Sequence, residues 1–64
     1  MTQLQAIRAH LERGRTITPL QALNRYGCLR LAARIADLRR DGLAISSRMA
    51  RRGDKHFAEY WLRQ

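Results

Sequence analysis

The sequence predicts an α+β fold, three short helices followed by a C-terminal β-hairpin, and three observations predict it. Thr2 with Gln5 and Thr18 with Gln21 are two threonine-led capping patterns, each opening a stretch with helical apolar spacing. Glycines at 14, 27 and 42 stand where the helical stretches stop, as residues that accept a left-handed backbone. Beyond Gly42 the apolar period changes from helical to alternating, around a Gly53-Asp54 turn signal.

The first helix is predicted at about residues 3–13, with Leu4, Ile7 and Leu11 at helical spacing and Ala6 able to lie close to a neighbour. Arg15-Thr16-Ile17 reads as a minimal extended edge strand. Thr18 is a good N-cap and Pro19 suits the first helical position, so the second helix begins there. Leu20, Leu23 and Tyr26 give it an apolar side, and it ends near Tyr26, before Gly27. The third helix is expected from about Cys28 to Arg40. Leu31, Ile35 and Leu38 fall in a narrow arc, with Cys28 and Ala32 beside them. Arg30, Ala33, Asp37 and Arg40 point the opposite way, and Arg34 sits on a flank. Leu43–Arg48 and Phe57–Leu62 are the predicted strands, and Met49 to Lys55 the connection, a hairpin with a basic tip.

Sixty-four residues imply one domain, residues 1–64, and a chain of this size hides only about 60% of its unfolded surface on folding. One cysteine cannot form an internal disulfide, and two histidines with one cysteine give no zinc spacing, so no metal and no cofactor is expected. Thirteen Lys and Arg against five Asp and Glu leave a net charge of +8 and a pI near 11.5. That excess favours polyanions. Lys55 is the only lysine, and guanidinium forks bind phosphates and guanine edges with paired hydrogen bonds. The N-terminal stretch lacks the apolar core of a signal peptide, and no apolar run approaches the ~20 residues that cross a bilayer. We expect a cytoplasmic protein with no membrane partner.

Catalysis finds little support. Cys28 at a helix start invites a nucleophile reading, yet no histidine is near it in sequence and it falls on the buried side, so a structural role is expected. Glu12 and Glu59 lack a partner acid, and His10 and His56 read as surface side chains. No catalytic residue is assigned.

A second helix of about two turns, one glycine and an arginine-bearing third helix form the outline of a helix-turn-helix, and the hairpin after it would be a wing. Residues 17–45, ITPLQALNRYGCLRLAARIADLRRDGLAI, resemble the short helix-turn-helix domains of phage and prophage genomes. Their recurring pattern is a "TPLEAL" helix, a "G-C/S-x-R-L-A-x-R-I-x-D-L-R" helix, a "G-x-x-I" strand and a late "Y-x-L". Here these are Thr18 to Leu23, Gly27 to Arg39, Gly42 to Ile45 and Tyr60 to Leu62. The resemblance implies a winged-helix fold and DNA binding by a bacterial, nucleoid-associated protein, a small phage or prophage regulator or accessory factor.

The expected nucleic-acid surface is Arg30, Arg34 and Arg40 on the third helix, in the major groove, with Arg48, Arg51, Arg52 and Lys55 of the wing on the backbone. Arg34 and Asp37 are three apart and are expected to pair across a helical turn, whereas Arg30 has no carboxylate at i±3 or i±4. On the last strand Phe57 and Trp61 share one face, opposite Ala58, Tyr60 and Leu62. If Tyr60 and Leu62 cover the helices, Phe57 and Trp61 form an interface patch. In so small a core, packing of Trp61 on the first helix is the favoured expectation. Alternatives left open are a protein-interaction module engaging a host protein, RNA binding, and a homodimer reading two half-sites.

Overall fold

In the computed structural model, which describes residues 2–63, both threonine-led patterns form complete capping boxes. Helix α1 spans Gln3–Glu12 and α2 spans Pro19–Tyr26. The Gln5 and Gln21 amides donate to the Thr2 and Thr18 hydroxyls at 3.2 Å, and the glutamine carbonyls accept from the threonine amides. Each box satisfies two donors that a helix start leaves orphaned. Gly27 ends α2 at φ 65°, its N–H on the Leu23 carbonyl, while Cys28 N–H reaches the Ala22 carbonyl. Only glycine takes that backbone without strain.

Helix α3 (Leu31–Arg40) is followed by β1 (Ile45–Arg52) and β2 (Lys55–Leu62), an antiparallel pair with Ile45 opposite Leu62 and Arg52 opposite Lys55. The expected edge strand is a single bridge: Ile17 and Tyr60 exchange both backbone hydrogen bonds at 2.9 Å. The order is three helices and a hairpin, an α+β winged-helix fold.

The core is Ile7, Leu11, Ile17, Ala22, Cys28, Leu31, Ile35, Leu38 and Ile45, with Leu4, Tyr26, Leu43, Tyr60 and Leu62 packed against it. Ile45 of β1 with Tyr60 and Leu62 of β2, not Trp61, therefore hold the hairpin to the helices. Alternation along β2 turns Trp61 to the other face, where Ser46 is its cross-strand partner. Among the described residues Trp61 is half-buried and is not one of those packed against the core.

Four further expectations are corrected. Leu20 and Leu23 are 67% and 43% exposed. The buried residue of α2 is Ala22, with half-buried Tyr26 four residues on, and Leu20 lies across the helix from Ala22. A small side chain at the contact lets α2 approach closely and leaves the larger ones outside. Helix α3 starts at Leu31, three residues later than expected, because Cys28 is held to the end of α2 and Arg30 keeps a non-helical φ of −124°. The hairpin is longer than expected. β1 begins at Ile45, two residues later than expected, Met49 to Arg52 belong to it, and Lys55 and His56 belong to β2, leaving Gly53-Asp54 as the whole turn. Gly53 alone has positive φ there, as a type II′ hairpin requires.

His10 is buried, not at the surface. Its Nε2 donates to the Thr16 carbonyl and its Nδ1 pairs with the Tyr26 hydroxyl, both at 2.8 Å. A carbonyl only accepts, so in the neutral ring Nδ1 accepts from the tyrosine. One imidazole thus ties α1 to the end of α2 and to the extended segment before Ile17.

Candidate nucleic-acid interface

The sequence assigns seven basic side chains to binding, and their surroundings divide them into two groups. Arg34, Arg40, Arg48 and Arg51 already have protein partners. On α3 the Asp37 carboxylate accepts a hydrogen bond from Arg40 and forms an ion pair with Arg34 at 3.2 Å. The expected Arg34–Asp37 pair is therefore present, and Arg40 shares the acid. Arg34 is half-buried, and among the described residues its Nε meets no acceptor. Arg48 pairs across the strands with Glu59 at 2.8 Å, and Arg51 donates to the Gly53 carbonyl at the turn.

Arg30, Arg52 and Lys55 are exposed and, among the described residues, form no ion pair or side-chain hydrogen bond. Arg30 is the N-cap residue of α3 and contributes no side-chain cap to its own helix. It rims a shallow concavity of about 320 Å³ with Gln3, Gly27, Cys28, Leu29 and Arg34. Arg52 and Lys55 face each other as the last pair of the ladder. Like charges directly opposite on a sheet repel, so this pair costs stability unless an anion lies between them.

The hairpin carries these residues away from the helices. Met49 lies on the same face as Ile45 and Leu62 yet is 68% exposed, so core contact ends before it and the outer half of the hairpin projects. The opposite face carries Arg48, Ala50 and Arg52 of β1 beside Phe57, Glu59 and Trp61 of β2. Phe57 and Trp61 are half-buried there, flanking the Arg48–Glu59 pair.

Two structural contacts escaped sequence reasoning. Arg39 donates from Nε and Nη2 to the Ile45 carbonyl, at 3.2 and 2.9 Å, fixing the end of α3 to the root of the wing. No local signal marks it, since its acceptor is a backbone oxygen. Glu59 reads in the sequence as an acid without a catalytic partner, and its place opposite Arg48 becomes visible once the hairpin register is drawn through Gly53-Asp54.

Among the described residues no cluster of three or more His, Cys, Asp or Glu side chains could hold a metal. Cys28 is a buried free thiol. No helix among them is long and apolar enough to cross a membrane. What the arrangement offers chemically is a set of hydrogen-bond donors with positive charge at the start of α3 and the end of the wing.

No curated protein and no solved structure matches the chain. The profile of one family, described as a winged helix-turn-helix domain, matches residues 2–64. Domains of this kind are in general DNA-binding and typically non-catalytic. The chain belongs to the winged helix-turn-helix family.

Proposed function

We propose that residues 1–64 act as one DNA-binding unit, a small regulator or accessory factor of phage or prophage origin working in the bacterial cytoplasm at the nucleoid. Helix α3 enters the major groove from its Arg30 end, and the wing lies on the backbone. The observation that carries this reading is the unpartnered Arg52–Lys55 pair at the end of a projecting hairpin, with an unpartnered Arg30 at the start of α3. Phosphates relieve the repulsion at the tip, and a guanidinium at the start of α3 matches the end of a recognition helix that reaches base edges. Arg34, Arg40, Arg48 and Arg51 contribute in second place, because each must share its charge with an acid or a carbonyl it already holds.

Counterion release gives the test its scale. Three to five phosphate contacts make log K fall with log salt at a slope of about −3 to −5. Mobility-shift titration of a duplex at two salt concentrations, with RNA as competitor, reads that slope and separates DNA from RNA. Arg30→Ala is expected to weaken a selected site more than loss of one wing cation, by about 1–3 kcal/mol. No affinity for any duplex at low salt overturns the proposal.

A second reading rests on apolar surface. Leu20 and Leu23 on α2 are exposed, and Phe57 and Trp61 lie on the hairpin face turned from the core. Such surface suits a host protein or a second copy of this chain. Trp61→Ala abolishing a pull-down, with no duplex binding by the unaltered protein, would favour it over DNA.

A further inference from the structure

The net charge is not concentrated on the surface proposed for DNA. Residues 30–59 hold eight Lys and Arg against four Asp and Glu, and the other residues hold five Arg against one Glu, so each part carries half of the +8. Of those five arginines, Arg8 pairs with Glu12 on α1. Arg13, Arg15 and Arg63 are exposed and, among the described residues, have no ion pair and no side-chain hydrogen bond. They are as free of protein partners as Arg30, Arg52 and Lys55.

Backbone topology brings Arg15 and Arg63 to one end, and Arg13 stands two residues before Arg15. Ile17 and Tyr60 are an antiparallel bridge, so the residues before Ile17 and those after Tyr60 leave it in the same direction. Arg15 stands two residues before the bridge and Arg63 three residues after it. The wing tip lies the other way along β2. From Lys55 to Arg63 is about 27 Å at the usual strand rise, in a molecule 33 Å long. A major groove is only about 12 Å wide, so one groove does not serve both ends.

The backbone that carries these arginines is held in place. Arg13 caps α1, its N–H on the Ala9 carbonyl at 3.2 Å. Arg15 precedes Thr16, whose carbonyl accepts from buried His10 at 2.8 Å. Arg63 donates its N–H to the Ala44 carbonyl at 2.8 Å. Backbone hydrogen bonds at these positions spare the chain ordering that a flexible tail must undergo on binding, while the guanidinium groups stay free to meet phosphate.

We infer that this end is a second nucleic-acid contact, in which Arg13, Arg15 and Arg63 take phosphates of a different duplex segment from the one held by α3 and the wing. The inference rests on the DNA-binding reading above, and it makes the monomer a bridge between two segments. A duplex of about one helical turn (about 10 base pairs) is too short to be held at both ends at once, and fluorescence anisotropy with it reads the α3–wing contact in a variant that lacks the far-end arginines. Capture of a second, labelled duplex by protein held on an immobilised one measures the bridge.

The triple variant Arg13→Ala/Arg15→Ala/Arg63→Ala removes only exposed side chains. It is expected to bind the short duplex within about twofold of the unaltered protein, while capture of the second duplex falls about tenfold or more, since each lost phosphate contact removes a counterion-release contribution. Capture unchanged in the triple variant overturns the bridge, including the case where a dimer supplies it. So does short-duplex binding without any capture by the unaltered protein, which leaves the DNA-binding reading intact. Absence of short-duplex binding overturns both.

Discussion

The helical body and the outer half of the hairpin solve different problems with the same small alphabet. In the body, Ile7, Leu11, Leu31, Ile35 and Leu38 are sealed from water, and the buried polar residue, His10, has both ring nitrogens partnered. Among the described residues none of the hairpin beyond Met49 is one of the apolar side chains packed on that core, and its last cross-strand pair sets Arg52 against Lys55. The first region is arranged for its own stability. The second carries a repulsion that a bound anion would relieve. Stability and binding are therefore separable by position, and substitutions in the two regions should fail in different assays.

The largest expected effect is in the body. Leu11→Ala removes a fully buried side chain and should cost about 2–5 kcal/mol. Total stability for a chain of this length is on the order of 3–10 kcal/mol, so chemical denaturation followed by circular dichroism should show a large loss or outright unfolding. Met49→Ala, the matching deletion on the projecting hairpin, should stay within about 0.5 kcal/mol. Equal losses at the two positions would erase the contrast.

Tyr26→Phe comes next. It strips the hydroxyl from His10 Nδ1 and leaves a buried ring nitrogen without its partner, at about 1–3 kcal/mol. Duplex affinity measured well below the melting midpoint should not change. The smallest effect belongs to Glu59→Gln, which frees Arg48 from an exposed cross-strand pair worth less than about 1 kcal/mol. Stability should hardly move, while duplex affinity at low salt should rise modestly as Arg48 gains freedom to meet phosphate.

Helix boundaries at Thr2, Thr18 and Gly27 were legible because local hydrogen bonds set them. The start of α3 was not, since none of Cys28, Leu29 or Arg30 is a capping residue and the delay comes from a contact with α2. Helical spacing alone made Leu20 and Leu23 an inner face. Which side of α2 turns inward depends on how closely the helices approach, and Ala22 permits the closer packing. His10 looked like surface because both of its partners, Tyr26 and Thr16, arrive only with the tertiary fold.

In the binding surface, the basic residues themselves were visible in the sequence and their partners were only partly so. Asp37 with Arg34 follows from spacing, and Arg40, also three residues from Asp37, shares that acid. Glu59 on Arg48 follows only once the hairpin register is drawn, and the role of Arg39 rests on the tertiary fold. The far-end arginines were missed because Arg63 is separated from Arg13 and Arg15 by most of the chain and comes to the same sheet end as Arg15 only through the Ile17–Tyr60 bridge.

The division between a self-sufficient body and an anion-seeking wing is tested most directly by the variant Arg52→Ala/Lys55→Ala, with duplex affinity measured as a function of salt beside the thermal midpoint. Loss of two phosphate contacts should make the log K against log salt slope shallower by about 2, while the midpoint stays level or rises as the repulsion disappears. An unchanged slope, or a fall in the midpoint large enough to account for weaker binding, would contradict it.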